Sequence, residues 1–286
     1  MFQVTGLYIY PVKSCAGVEV SNWAITRYGF RHDREFLVVD EKWNFLTQRT
    51  HPKLALVQTF PESGLLRLNA PNLPEMSFAW FGSDADHRIE SRRSVTVWRD
   101  QVEADDCGEE IAEWFSTHLG CKARLVRMGK RYRRTVRTAK IPAIHQEALG
   151  IKEVGFADAY PFLVISEASL ADLNHRLPQP IPMNRFRPNI VVGGALDPYA
   201  EDRWQSIDIG ALRFRAGAPC IRCIVTTTDQ ITLERGAEPL KTLATYRRSR
   251  DGGVHFGMNF FCESSTGTIR VGDVIRLAPN EMPDDR

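Results

Sequence analysis

The chain has 286 residues, 43% hydrophobic and 25% charged, a globular composition that excludes an intrinsically disordered chain. Its 37 Lys and Arg against 35 Asp and Glu leave a formal charge of +2, too balanced for a protein whose main task is coating nucleic acid. No segment reaches the roughly 18 uninterrupted apolar residues of a membrane span, Met1 to Tyr10 lacks a signal-peptide pattern, and six cysteines are too few for a disulfide scaffold, so a cytoplasmic protein in a reducing compartment is expected.

The first hundred residues read as short strands: Val4 to Tyr10, Val18 to Ile25, Glu35 to Asp40, Leu54 to Thr59, Leu65 to Leu68 and Val95 to Val102. Each is rich in β-branched or aromatic residues, and turn signals such as Ser14 to Gly17 and Pro61 to Gly64 separate them. The first helix is predicted over Glu109 to Leu119, with Ile111, Phe115 and Leu119 on one face and Asp105 or Asp106 as its cap. A strand, Ala123 to Met128, follows. Lys130 to Lys140 then carries six cations without helical periodicity. It reads either as a solvated loop or as a docking surface for an acidic partner.

The second half opens on a buried-type strand, Pro161 to Ile165. Ser166 is placed to cap a helix from Glu167 to Leu177. Strands return at Asn189 to Val192, Gln205 to Ile209, Leu212 to Ala216 and Ile221 to Thr228. A short helix from Glu238 to about Arg247 and strands at Phe256 to Cys262 and Thr268 to Leu277 complete the reading. The fold class is mostly β (α+β). The expected organisation is a β-rich domain at 1–128, a basic connecting loop at 129–145, a second β-rich domain at 146–279 and a polar tail at 280–286.

Cys220-Ile221-Arg222-Cys223 is the one CxxC. A zinc site needs four ligands, and only His255 and Cys262 offer to complete one, at no zinc-like spacing. A thioredoxin-like dithiol wants a helix start, whereas this motif is read as opening an apolar strand. A buried thiol pair and a single thiolate bound to a cofactor-borne soft metal both remain open. Cys107, Cys121 and Cys262 read as small buried or incidental thiols.

The neighbouring residues narrow this. Cys220 to Asp229, Glu238 to Leu243, Phe256 to Asn259 and Asn184 to Ile190 together resemble the MOSC domain family. Tyr10 to Gly17, Gly29 with Asp33-Arg34, and Leu46-Thr47-Gln48-Arg49 resemble the β-barrel that precedes MOSC domains in one branch. That branch is similar to the mitochondrial amidoxime-reducing component and its bacterial relatives. The resemblance implies an N-terminal β-barrel-like domain followed by a C-terminal MOSC β-barrel. It further implies a molybdenum-molybdopterin cofactor and reduction of small N-hydroxylated compounds: amidoximes, hydroxylamines and N-hydroxylated base analogues. The family is also associated with pyridoxal phosphate binding.

By the same resemblance Cys223 ligates the metal. Lys13, Ser14, Arg34, Ala159, Tyr160, Arg187, Ile221, Arg222 and Asn259 fall at cofactor positions, and Asp158 beside the metal. The residue types suit such a ligand: cations for a phosphate and pterin, a thiolate for a soft metal, a carboxylate to relay protons. Arg222 and Arg187 are expected to favour the Cys223 thiolate. Ala159 and Ile221 stand where relatives can carry hydroxyls, leaving their backbone groups to make those contacts. No cysteine cluster follows the last strand, so a separate electron donor is expected, ferredoxin-like, a flavin reductase or cytochrome b5-like, with the basic loop as its candidate contact. A sulfur carrier holding a persulfide on Cys223, and a zinc- or thiol-stabilised binding module, are the rival readings.

Overall fold

The computed structural model describes residues 1–80, 92–150 and 152–277, and the polar tail expected at 280–286 lies outside the described residues. Its centre is a closed barrel of seven strands. In barrel order these are Ile190–Gly194, Phe162–Ser166, His255–Cys262, Leu212–Ile221, Ser206–Ile209, Val274–Leu277 and Phe2–Ile9, which pairs back onto Ile190–Gly194. Strand pairing therefore crosses the segment 129–145: the first strand of the chain is a stave of the second half's barrel. Val4, Leu7 and Ile9 of that strand are fully buried, although Leu7 lies three positions after Val4, an odd step that strict alternation would turn to the other face. A register shift between Val4 and Gly6 resets the alternation, as a β-bulge does. Phe30, Phe162, Phe214 and Phe260 fill the barrel interior, with Phe162 edge-on to both Phe30 and Phe214.

A second, half-barrel sheet holds Phe36–Val39, Arg124–Arg127, Asp100–Asp106 and Arg92–Val97 in that order. All four residues of Phe36–Val39 are buried because both faces of the sheet are covered. Helix Glu109–Leu119 packs Ile111, Trp114 and Phe115 on one side; Tyr132 and Phe156 press on the other. The helix has the predicted bounds, but Gly108 occupies its cap position, and Asp106 Oδ1 instead accepts from the Gly108 N–H. Ser166 caps helix Glu167–Arg176 as predicted, its side chain accepting from the Ser169 N–H.

Several expected strands are different objects. Val18 to Ile25 breaks at Ser21 into Val18–Val20 and Asn22–Thr26, which serve different sheets. Leu54 to Thr59 is a 3-10 turn, Pro52–Leu56, followed by the strand Gln58–Glu62; proline at its start favours the turn. Val95 to Val102 is a hairpin whose turn lies at Trp98-Arg99, with Trp98 at φ 59°. Thr268 to Leu277 divides into Gly267–Arg270 and Val274–Leu277. Ile221 to Thr228 is not a strand: Leu212–Ile221 runs on through Cys220, and Ile224–Thr227 is a 3-10 turn with Cys223 at its cap. A helix that the sequence pattern did not announce spans Ala143–Leu149.

The CxxC is aimed by irregular strand pairing. Register shifts between Ala216 and Pro219 and between Pro219 and Ile221 bend the strand away from its partner, His255–Cys262. On that partner Gly257 has φ +81°, and an added Cβ there would lie 3.0 Å from the Val164 carbonyl oxygen and 2.6 Å from Ile165 Cγ1. Gly257→Ala is expected to destabilise the protein by at least about 1–3 kcal/mol, the usual cost of such backbone strain. Urea unfolding with an unchanged midpoint would refute this.

Candidate active site

A cavity of about 870 Å³ opens between the half-barrel sheet and the closed barrel. All eleven candidate residues line it: Lys13, Ser14 and Arg34 from the first half, and Asp158, Ala159, Tyr160, Arg187, Ile221, Arg222, Cys223 and Asn259 from the second. Its volume is that of a small-molecule or cofactor site. Nine Lys and Arg side chains line it against two carboxylates, Asp100 and Asp158, so the space attracts anions.

The anchor of the cationic end is Tyr10. Arg34 and Arg187 each lie with the guanidinium carbon 4.2 Å from the Tyr10 ring centre. The Tyr10 hydroxyl donates to the Pro188 carbonyl, and its backbone N–H donates to Asp33. Arg34 also donates to Asp33 and to Asn189 Oδ1. Arg187 donates to the Cys15 carbonyl at 2.7 Å, and burial pushes its guanidinium down to about 10, still protonated at neutral pH. Ser14, Arg34 and Arg187 have φ of 69°, 50° and 54°. Left-handed backbone costs a non-glycine residue about 1–2 kcal/mol. Three such residues around one cavity are backbones over-determined by their surroundings, a common mark of a working site.

Lys13 is buried, and its ammonium donates to the Phe156 carbonyl and to Asp158 Oδ1. It therefore reaches the cavity as half of an ion pair. Burial alone would raise the Asp158 carboxyl, but the Lys13 ammonium, Arg49 and the Trp98 indole N–H outweigh it and hold the acid well below the usual carboxylate range. Asp158 is 58% accessible because it faces the open cavity. Ala159 lies on the wall beside it. Tyr160 donates to the Lys140 carbonyl and packs its ring on Phe261; burial pushes its phenol up to about 12. Asn259 donates to the Ala218 carbonyl, bracing the bent strand that leads to the CxxC.

The charge expected at Cys223 comes from elsewhere. Arg222 turns to Cys220 Sγ at 2.9 Å and to the Phe186 carbonyl, and Arg187 is engaged at Cys15. The guanidinium at Cys223 is Arg49, whose Nη2 donates to Sγ at 3.3 Å. Arg49 also approaches Asp158 Oδ2 at 3.8 Å and lies over the Trp98 ring. Leu46 to Arg49 is legible in the sequence as a motif that gives Arg49 no role, and Trp98 falls inside the predicted strand Val95 to Val102. The basic run also behaves differently from a loop of free cations. Tyr132, Arg134 and Val136 are buried while Arg131, Arg133 and Thr135 are exposed. Arg134 donates to Asp100, Gly155, Ala157 and Asp158, so it is an internal strut and no docking residue.

All six cysteines are free thiols. Burial pushes Cys15 and Cys107 up to about 12 and Cys262 up to about 11, which leaves them as inert thiols. No group of three or more His, Cys, Asp or Glu positioned to hold a metal ion occurs among the described residues.

Residues 1–122 match the MOSC N-terminal beta barrel domain and residues 152–276 the MOSC domain. The mitochondrial amidoxime-reducing component 1 of Mus musculus and that of Homo sapiens are each 35% identical over 286 residues, covering 96% of this chain and 82% of theirs. The molybdenum cofactor sulfurase of Arabidopsis thaliana is 31% identical over 268 residues, which are 87% of this chain and 32% of that protein. The chain belongs to the family of MOSC-domain proteins with an N-terminal MOSC β-barrel domain that includes the mitochondrial amidoxime-reducing components. No helix among the described residues is long and apolar enough to cross a membrane.

Because the folded Asp158 has a depressed pKa, its pairing stabilises the protein above the unfolded value near about 4 and loses that contribution as pH falls through the folded value. Asp158→Asn is therefore expected to be less stable than wild type at pH 7, with the gap shrinking below about pH 4. Urea unfolding at pH 7, 4 and 3 measures it; a gap independent of pH counts against the ion pair.

Proposed function

We propose that the chain holds a molybdenum-molybdopterin cofactor between its two lobes and reduces the N–O bond of small N-hydroxylated compounds. The observation that carries this reading is one cavity joining a partly exposed thiol, Cys223, to cations delivered from both halves. The donor set suits the group. With no bare-ion ligand cluster among the described residues, a metal at Cys223 must bring most of its own ligands, as a dithiolene cofactor does. Ser14, Arg34 and Arg187 would hold its anionic tail, with Arg222, Tyr160, Asn259, Ala159 and Ile221 forming other parts of the cavity wall. When bound, the cofactor supplies an electron pair to the substrate.

Cleaving N–OH to N–H and water consumes two electrons and two protons. Asp158 is held ionised, so it accepts hydrogen bonds and orients cavity water, from which the two protons are drawn, toward the leaving oxygen. Lys13 fixes that carboxylate in place. A sulfur carrier would need only Cys223, whereas Lys13, Ser14 and Arg34 come from the other half of the chain. A cytoplasmic, reducing setting accords with the six free thiols.

Protein from a host that makes molybdopterin is expected to carry stoichiometric molybdenum and pterin and to reduce benzamidoxime with a small artificial reductant. Cys223→Ala is expected to lose the metal, and Cys121→Ala, at an exposed thiol, to keep it. Sulfane sulfur without molybdenum would favour the sulfur carrier. Electrons are proposed to arrive from a separate acidic donor protein at the exposed cations Arg131, Arg133 and Lys130. Charge reversal at Arg131 and Arg133 is expected to slow donor-supported turnover severalfold while sparing the artificial reductant. Equal loss in both assays would refute the docking surface.

A further inference from the structure

We propose that Arg49 is the positioning residue for the Cys223 thiolate, fixing the direction of its sulfur and drawing charge from it through an N–H···S hydrogen bond, and that Arg235 holds Arg49 in register. This rests on the molybdenum reading above and deepens it. Three contacts set the Arg49 guanidinium: Cys223 Sγ at 3.3 Å, Asp158 Oδ2 at 3.8 Å and the Trp98 ring centre at 4.5 Å. Cys223 has a fixed backbone, since its carbonyl accepts from both the N–H and the hydroxyl of Thr226. Its side chain stands at the cap of a short turn without making a capping hydrogen bond, and its sulfur accepts from Arg49 Nη2. Arg222, its sequence neighbour, is committed to Cys220 and Phe186.

The loop that carries Arg49 is clamped from the other lobe. Arg235 donates to the Gln48 carbonyl at 2.8 Å, to the Arg49 carbonyl at 3.2 Å and to Thr228 Oγ1 at 2.9 Å. Gln48 and Gln230 exchange amide hydrogen bonds, and Gln48 also donates to the Ser14 carbonyl. Arg235 does not line the cavity. It acts on the sulfur only through the loop it holds. Hydrogen bonds to a ligating sulfur reduce the charge it gives the metal and so raise the reduction potential.

The test compares wild type, Arg49→Met, Arg49→Lys and Arg235→Gln, all made in a molybdopterin-competent host. Elemental analysis gives molybdenum per chain, and a redox titration followed by electron paramagnetic resonance gives the potential of the bound metal. Arg49→Met is expected to lower the potential or to lose most of the molybdenum with the fold intact. Arg49→Lys is expected to restore part of either effect, and Arg235→Gln to shift the potential in the same direction by less. Wild type without molybdenum would overturn the cofactor reading itself. Wild type with molybdenum, and Arg49→Met with full metal and an unchanged potential, would overturn this proposal alone. Should Arg49→Met fail to fold, Arg235→Gln decides, and an unchanged potential there overturns it.

Discussion

Positive charge oriented by neutral oxygen is the constraint on which the cavity depends. Lys13, Arg134, Arg187 and Arg222 are each tied to backbone carbonyls, at Phe156, Gly155 and Ala157, Cys15, and Phe186. A carbonyl directs a cation without cancelling it. Where carboxylates enter, they are shared: Asp33 serves Arg34 and the Tyr10 N–H, and Asp158 serves Lys13 and Trp98. The lining keeps a surplus of positive charge in a partly enclosed space, where interactions are stronger than in bulk water. An anionic occupant relieves that repulsion, so binding and stability are coupled at this site.

The surplus can be held because the lobes are interlocked by polar contacts on two sides. On one side Tyr10 lies between Arg34 and Arg187, one cation from each half. On the other, Arg235 and Gln230 grip the loop that carries Arg49. Between them the thiol of one half faces the cations of the other. Neither half contains the arrangement alone, which separates this architecture from a single barrel with a reactive cysteine.

Much of this was legible in the sequence, for identifiable reasons. Helix Glu109–Leu119 was marked by its periodic apolar face, and helix Glu167–Arg176 by a serine at its cap. The closeness of the eleven site residues followed from motif resemblance and not from spacing, since Lys13 and Cys223 are more than 200 positions apart. What escaped was carried by tertiary contacts. Trp98 sits in a hairpin turn without glycine or asparagine, so no turn residue announced it. Arg134 alternates with exposed cations in an extended segment, and composition cannot distinguish a strut from its neighbours. Arg222, adjacent in sequence, and Arg187 are the cations the sequence offers to Cys223; in the fold they bond to Cys220 and to the Cys15 carbonyl, and Arg49, 174 positions away, donates to the sulfur.

The closing stave of the barrel is Phe2–Ile9, bonded to Ile190–Gly194 on one flank and to Val274–Leu277 on the other. A fragment holding only residues 146–277 would lack that stave and would bare two unpaired edges with an apolar lumen between them. Such edges recruit other chains. The catalytic-looking half is therefore not a portable module. Its closure depends on the eight residues Phe2–Ile9, supplied by the other half of the chain, and a substitution that breaks their pairing acts directly on the barrel that carries Cys220.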